Sequence, residues 1–251
     1  MANEFLSQIE DAALNAWPAP RQMVYDGWFL RFADGYTKRS NSVNVRFDST
    51  LPLSEKIRVC ERIYSREGLP LIFRLPDPFV FQGLMEALDQ AGYKVFDPTY
   101  VLGQEIQPCE EIPEEVRLRE MNIAEWIELR ARLTGTSLDH WRIHQQILNV
   151  IVPEKVLLGL YLDDRAVACG MGVVEGNLLG YFSIYVGEQF RRNGYGKMTM
   201  WGITNWGVER GARFGYLQVE GDNQPALALY KKMGFGVCYR YVYSKKTIMS
   251  I

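Results

Sequence analysis

The segment Arg191–Gly196 has the residue types and spacing of an anion-binding turn. It reads R-x-x-G-x-G and lies between an apolar run ending at Val186 and a helical pattern that starts near Gly196. Two closely spaced glycines at a helix N-terminus let several backbone N–H groups converge on one phosphate or diphosphate. Arg191 and Arg192 add positive charge for the same anion. The segment therefore predicts a diphosphate-binding loop, with a simple chain reversal as the alternative.

Two familiar nucleotide motifs do not fit this loop. A Rossmann fingerprint needs a third glycine where this chain has Thr199. A Walker loop needs Ser or Thr after Gly-Lys and a glycine five residues before that pair, but this chain has Met198 and Arg191 at those positions. Both interpretations are excluded.

The histidines and cysteines do not form a convincing reactive or metal-binding pattern. His140 and His144 are four residues apart, a spacing that can chelate zinc, but the zincin pattern needs Glu at the position of Trp141. We expect no metal. The four cysteines are widely separated and predict neither a zinc site nor a disulfide framework. Cys169 and Cys238 have no sequence neighbour that would activate a nucleophile.

The elements around the loop can be predicted from apolar periodicity and turn residues. Two short polar turns separate three β-rich runs and predict an antiparallel meander. Before the loop, the pattern predicts a strand at Val116–Arg119, helices at Ile123–Leu133 and Leu138–Val150, and strands at Val156–Leu162, Arg165–Val174 and Leu178–Val186. After it, the pattern predicts a helix at Gly196–Arg210, a strand at Phe214–Glu220, a helix capped by Asn223 and ended by Gly234, and a strand at Val237–Ser244.

The first half of the chain repeats the order of this last part. The predicted elements are a helix at Glu55–Arg66, a strand at Leu71–Leu75, a helix at Phe81–Gln90 and a strand at Lys94–Leu102. Leu88–Tyr93 aligns with Tyr230–Phe235. We therefore predict a duplicated fold, with domains at 1–106 and 116–251 and a linker at 107–115 that is rich in proline and glutamate.

The two patterns together resemble the GNAT acetyltransferase superfamily. The second pattern, N-x-x-A-x-x-L-Y-x-x-x-G-F, covers Asn223–Phe235. The resemblance extends over Glu114–Ile251 and is faint in the first half. It implies an α+β fold, with a mostly antiparallel central sheet flanked by helices and duplicated in tandem. The first copy would be degenerate and the second competent.

The resemblance also implies roles for individual residues. The loop amides would hold the diphosphate of CoA, the end of the preceding strand would pair with the pantetheine arm, and Asn223 would bond near that arm. Tyr230 would protonate the departing thiolate. The residues assigned to CoA binding are Ile184, Tyr185, Val186, Arg191, Arg192, Asn193, Gly194, Tyr195, Gly196, Lys197 and Asn223.

The two proposed catalytic residues also have some support from their own positions. Tyr230 falls on the apolar stripe of its helix with Ala226 and Met233, and a phenol with a pKa of about 10 can protonate a thiolate. A core tyrosine is the alternative. Glu220, at the end of its strand, is the first candidate for the general base. Glu188 and a chain of waters are the alternatives.

The first half lacks both the glycine-bearing loop and the tyrosine of the second half. Its equivalent loop, Asp48–Glu55, contains no glycine, and Leu88 stands where the second half has Tyr230. We expect no CoA binding there. The aromatic and polar stretch Gly27–Ser42 is either a hairpin with exposed polar groups or a lid and acceptor-recognition surface that faces the second half.

Composition limits the remaining choices. The 251 residues are 47% hydrophobic and carry a formal charge of -2, which predicts a globular protein without a broad surface for nucleic acid. No apolar run approaches the roughly 18–20 residues that span a bilayer, and no secretory signal is evident, so we expect a cytoplasmic monomer or homodimer without membrane contact. The predicted function is acetyl transfer from acetyl-CoA to a primary amine of a small molecule or peptide. The alternative is a CoA-binding sensor or scaffold without turnover.

Overall fold

In the computed structural model, the described parts of the chain form one eleven-stranded sheet. The structure describes residues 2–47, 50–80, 83–109 and 112–246. The α-helices in these ranges are α1 (Ala2–Ala16), α2 (Leu53–Arg66), α3 (Leu84–Gln90), α4 (Ile123–Thr134), α5 (Arg142–Asn149), α6 (Tyr195–Glu209) and α7 (Gln224–Lys232). The strands are β1 (Arg21–Tyr25), β2 (Trp28–Phe32), β3 (Val43–Val45), β4 (Ile72–Pro76), β5 (Tyr93–Glu105), β6 (Val116–Glu120), β7 (Glu154–Leu162), β8 (Arg165–Glu175), β9 (Leu178–Val186), β10 (Phe214–Glu220) and β11 (Gly236–Lys246).

The antiparallel meander predicted from the two polar turns is confirmed. β7 pairs with β8, and β8 pairs with β9, both in the antiparallel sense. Asp163 and Gly176, in the two turns, have φ angles of 51° and 60°. Tight hairpin turns need this left-handed conformation, and Asp and Gly adopt it more readily than most residues.

The last strand of each half pairs with the other half. The sheet order is β1-β2-β3-β4-β11-β5-β10-β9-β8-β7-β6, so β5 lies between β10 and β11 while β11 lies between β4 and β5. The successions α2-β4-α3-β5 and α6-β10-α7-β11 correspond element by element. The two copies have therefore exchanged their final strands, and the sheet is continuous across them.

The strand directions follow the same duplication. Among the paired strands that the structure describes, β3–β4 and β9–β10 are parallel, and the other neighbours are antiparallel. This mostly antiparallel sheet with flanking helices confirms the predicted fold class. The division into domains at 1–106 and 116–251 remains a proposal, and residues 110 and 111 of the predicted linker lie outside the described residues.

Two predicted helices differ from the structure. The helix predicted at Leu138–Val150 is broken: Asp139–Trp141 forms a 3-10 turn and only then does α5 begin. The backbone of Trp141, with φ -97° and ψ 2°, lies outside α-helical geometry. Its buried indole donates a hydrogen bond of 2.6 Å to Thr136 Oγ1. The helix predicted from Phe81 begins at Leu84 in the described chain, and residues 81 and 82 lie outside the described residues.

The central strands direct side chains into a separate core on each face of the sheet. Tyr181 and Leu217 pack with residues of α6 and α7, whereas their strand neighbours Phe182 and Tyr216 pack with residues of α1, α4 and α5. Successive side chains of a strand point to opposite faces, so one sheet can carry both cores. In the part of the chain that the structure describes, no helix has the length and apolar character to cross a membrane.

A buried ion pair connects α1 to β4 and β11, where the two halves of the chain meet in the sheet. Both oxygens of the Glu10 carboxylate accept from the guanidinium of Arg74 on β4, and the Tyr239 hydroxyl of β11 donates to it at 2.5 Å. Glu10 and Arg74 are almost completely buried. Burial alone would raise the pKa of Glu10, but Arg74 and Tyr239 outweigh it and lower that pKa. The carboxylate is therefore charged in the folded state.

Replacing Glu10 by Gln is expected to destabilise the protein by about 3–5 kcal/mol, because it leaves the Arg74 charge buried without a partner. Chemical denaturation of both proteins measures this difference in the free energy of unfolding. Since the folded pKa of Glu10 is lowered, its contribution is full above the unfolded value of about 4.3 and is lost as pH falls through the folded pKa. The exposed Glu4→Gln change on the same helix is the control and should have little effect. Equal stability of Glu10→Gln and wild type would show that the pair does not stabilise the fold.

Candidate active site

β9 and β10 separate partway along their length. They pair in parallel over four positions that end at Tyr181 and Leu217. Beyond this point Phe182–Val186 and Gln218–Glu220 remain strands, but the described sheet has no pairing between them. An extended ligand arm can add to an open strand edge of this kind through main-chain hydrogen bonds.

A β-bulge directs the end of β9 away from β10. Two residues of β9, Ser183 and Ile184, stand opposite the single residue Gly170 of β8, and Ser183 has a φ of 53°. Arg130 on α4 donates a hydrogen bond of 2.7 Å to the Ser183 carbonyl. A bulge bends its strand and increases the local twist. The bulge therefore accounts for the separation of Ile184–Val186 from the neighbouring strand.

The glycine-bearing loop presents its main-chain N–H groups to solvent. From Arg192 to Lys197, six successive amides have no hydrogen-bond acceptor among the described residues. The Asn193 side chain does not block them, because its amide group donates to the carbonyls of Phe190 and Arg191, both at 3.2 Å. Gly194 has a φ of 82° and precedes the first residue of α6. The predicted helix N-terminus with open amides is therefore present.

The cations of this loop are also available to a ligand. Arg191, Arg192 and Lys197 are exposed, and none forms an ion pair with a carboxylate in the described parts of the chain. Arg191 lies 5.9 Å from the centroid of the Tyr185 ring, and Lys197 lies 4.2 Å from that of Trp201. Open amides beside unpaired cations fit a diphosphate.

Helix α7 supplies the two side chains that its sequence pattern predicted. Asn223 is its N-cap, and its Oδ1 accepts from the Ala226 amide at 3.2 Å, which leaves the side-chain NH2 for a ligand. Tyr230 is half-buried rather than part of a fully buried stripe, and no described residue forms a hydrogen bond with its hydroxyl. Burial raises the pKa of Tyr230, so its phenol keeps its proton at neutral pH.

The gap between β9 and β10 opens into a cavity of about 540 Å³ formed by both halves of the chain. The second half contributes Tyr181–Ile184, Leu217–Glu220, Asn223, Ala226, Tyr230, Tyr241 and Tyr243. The first half contributes Gly35, Thr37–Arg39 and Thr99. Of the two interpretations of Gly27–Ser42, this position favours the surface that faces the second half.

The loop that forms this wall is held by one buried asparagine. Asn41 accepts hydrogen bonds from the amides of Ala33 and Gly35 through Oδ1. Its NH2 group donates to the carbonyls of Tyr36 and Thr37, at 2.8 and 2.9 Å. These bonds fix the backbone of the loop, so the side chains of the next two residues are presented to the cavity from an ordered support.

Lys38 of this loop contacts the proposed base, a relation that the sequence did not predict. Its ammonium lies 3.5 Å from Glu220 and also forms an ion pair with Asp97. Burial opposes the charged form, but the two carboxylates outweigh it and raise the pKa of Lys38. Glu220 remains 59% exposed at the mouth of the cavity. Its place beside the gap is compatible with a role as base, which stays a prediction.

The sequence also matches a known protein family. Residues 6–244 match the family described as "Probable histone acetyltransferase Rv0428c C-terminal". This match covers nearly the whole chain. The protein belongs to this family of GNAT acetyltransferases.

Individual relatives agree with the assignment. An "Uncharacterized N-acetyltransferase YobR" from Bacillus subtilis (strain 168) is 28% identical over 249 residues, which cover 96% of this chain and 98% of the relative. A solved GCN5-related N-acetyltransferase from Kribbella flavida shares the fold with a TM-score of 0.71 at 17% identity, covering 96% of this chain and 95% of that one. A tandem GNAT protein from the clavulanic acid biosynthesis pathway has a TM-score of 0.63 at 12% identity, with coverages of 81% and 74%. The predicted GNAT fold and acyltransferase class are confirmed.

Two other reactive side chains of this GNAT protein, His144 and Cys169, are not among the described residues that line the cavity. His144 is buried among aromatic rings, and its Nδ1 lies 2.9 Å from the Tyr36 hydroxyl. Burial, together with Arg130 and Arg39, lowers the pKa of His144 to about 3. Burial raises the pKa of the Cys169 thiol. No cluster of three or more His, Cys, Asp or Glu among the described residues is arranged to hold a metal ion.

Replacing Gly194 by Asp is expected to weaken binding of CoA by about 10- to 100-fold, since a carboxylate beside the diphosphate adds repulsion to the strain of a side chain at positive φ. Titration calorimetry measures the affinity. Gly194→Asn, which has nearly the same shape without the charge, should lose less.

The matched control is Gly211→Asp at the other end of α6. Gly211 has a φ of 88° and open space around it, so this change imposes similar backbone strain far from the loop. It should leave the affinity for CoA unchanged. Wild-type affinity in Gly194→Asp would remove the diphosphate site from this loop.

Proposed function

We propose that this acyltransferase moves an acetyl group from acetyl-CoA to a primary amine of a small molecule or peptide. The observation that carries the proposal is the run of open amides at Arg192–Lys197 beside the gap between β9 and β10. A CoA thioester joins a diphosphate to an extended arm with two amide groups. The loop offers donors for the diphosphate, and the free edge at Ile184–Val186 offers main-chain groups for the arm.

The shape of the cavity supports direct transfer between two bound substrates. The free edge of β9 leads from the loop toward Ser183 and Ile184, which line the cavity together with Tyr230 and Glu220. An amine that enters this cavity meets the acyl group at the bulge. Holding both reactants in one orientation supplies a large part of the rate enhancement in reactions of this kind. No covalent intermediate on the enzyme is required.

The proton transfers define the roles of the two predicted catalytic residues. A neutral amine forms the new C–N bond with the thioester carbon, the C–S bond breaks, and the sulfur takes the bonding electron pair. The nitrogen gives up one proton, which we assign to Glu220, and the sulfur gains one, which we assign to Tyr230. The raised pKa of Tyr230 favours its protonated form until the sulfur becomes basic enough to take the proton.

Replacing Tyr230 by Phe is expected to lower kcat by about 100-fold or more, because the thiolate then departs without a proton donor. Release of free thiol from acetyl-CoA with a panel of amines measures the rate, and calorimetry should show unchanged affinity for CoA. Tyr161→Phe on β7, outside the cavity, is the control and should retain wild-type activity. Equal kcat in Tyr230→Phe and wild type would remove the acid role. CoA binding without turnover of any amine in wild type would favour the sensor function instead.

Replacing Glu220 by Gln tests the base. The change should lower kcat/KM for amines by about 100-fold with little effect on CoA affinity, since general-base catalysis contributes roughly that much. Glu188→Gln, at the exposed start of the loop, is the comparison and should retain activity. Loss of activity in Glu188→Gln alone would move the base to that residue. Full activity in both variants would favour proton transfer through waters.

A further inference from the structure

Charged side chains of both signs line the cavity. Lys38 faces two carboxylates, Asp97 and Glu220. Arg39 faces none: no carboxylate in the described parts of the chain forms an ion pair with it, and none of its N–H groups has a hydrogen-bond acceptor there. The cavity lining therefore combines the Glu220 carboxylate with the guanidinium of Arg39, with which no carboxylate of the described residues pairs.

The free guanidinium of Arg39 differs from the other interior arginines. Arg31 donates to the carbonyls of Trp17, Leu14 and Arg39, and Arg74 and Arg130 also bond to protein oxygens. Arg39 instead rests over the Trp17 ring at 5.2 Å, and it is one of the residues that line the cavity. Burial raises the pKa of Tyr243, and Arg39 is close enough to that residue to oppose the rise. A guanidinium that is supported by an aromatic ring and keeps its donors open is prepared to receive a planar anion.

The groups around Arg39 are compatible with an anionic ligand. The nearby ionisable groups include the hydroxyls of Tyr36 and Tyr243, the imidazole of His144 and the guanidinium of Arg130. The pKa of His144 is lowered to about 3, first by burial and then by Arg130 and Arg39, so this ring is neutral and adds no charge beside the two guanidinium groups. A ligand carboxylate would give the guanidinium of Arg39 a charged partner.

We infer that the acceptor is a small amino acid-type zwitterion whose carboxylate binds Arg39 and whose amine faces Glu220 and the bulge. This inference rests on the proposed function and adds the class of acceptor. A single guanidinium matches one carboxylate by paired hydrogen bonds. The volume of about 540 Å³ is that of a small-molecule site, and the Glu220 carboxylate in its lining suits an amine group.

The test compares free amino acids with their amides and methyl esters, which keep the amine but lack the negative charge. Acetylation is followed by thiol release in wild type, Arg39→Gln, Arg39→Lys and the control Arg142→Gln, an exposed arginine outside the cavity. Binding of the same compounds is measured in parallel by calorimetry at millimolar concentration.

Wild type should prefer free acids, and Arg39→Gln should raise KM for them by about 10- to 100-fold, as expected for loss of a charge-assisted paired bond. The amides and esters should be unaffected by the change, Arg39→Lys should recover part of the loss, and Arg142→Gln should behave as wild type. Affinity for CoA should be the same in all four proteins.

Three results would overturn the inference. They are equal use of acids and amides by wild type, an unchanged KM for acids in Arg39→Gln, and no binding or acetylation of any free amino acid. Acetylation of amines that lack a carboxylate would leave the proposed function in place while this acceptor class fails. Failure of the proposed function gives a different result, in which no amine of any kind is acetylated.

Discussion

The separation of β9 from β10 beyond Tyr181 is the constraint on which the rest of the site depends. Two parallel strands that paired to their ends would leave no free edge and no space between them. The bulge at Ser183 and its hydrogen bond from Arg130 keep the strands apart. The open edge, the cavity and the exposed N-terminus of α6 then lie next to one another, which is the arrangement that an extended thioester with a diphosphate end requires.

The exchange of β5 and β11 makes both halves of the chain part of this site. Because β5 pairs directly with β10, the first half is attached to the strand that borders the gap. Its loop Gly35–Arg39 then forms a wall of the cavity, held by Asn41 and joined to Glu220 through Lys38. The first copy lacks the glycine loop and the tyrosine of the second. Because of its position beside the cavity, the first copy instead supplies the side chains that an acceptor would contact.

Much of the fold was predictable because its signals are local. Polar turns such as Asp163-Asp164 separate strands, and caps such as Asn223 begin helices, so the order of elements in the second half agrees with the prediction. The helix predicted at Leu138–Val150 was wrong in its first turn, because Trp141 is bound to Thr136 and breaks the helical pattern. A hydrogen bond between two side chains in a loop overrides the apolar periodicity there. Periodicity records which face is apolar and does not record such a bond.

Residues close together in the chain specify the glycine loop, the strand and helix that flank it, and the positions of Tyr230 and Asn223 on their helix, so these features were predictable without a structure. The predicted roles of these residues remain proposals. Packing between distant segments makes β5 and β11 change places and brings Lys38 to Glu220 across 182 positions of sequence. The same packing leaves Arg39 without a carboxylate partner among the described residues. Pairing partners in a sheet and charges that meet across it depend on how distant segments pack, and no local pattern encodes that choice.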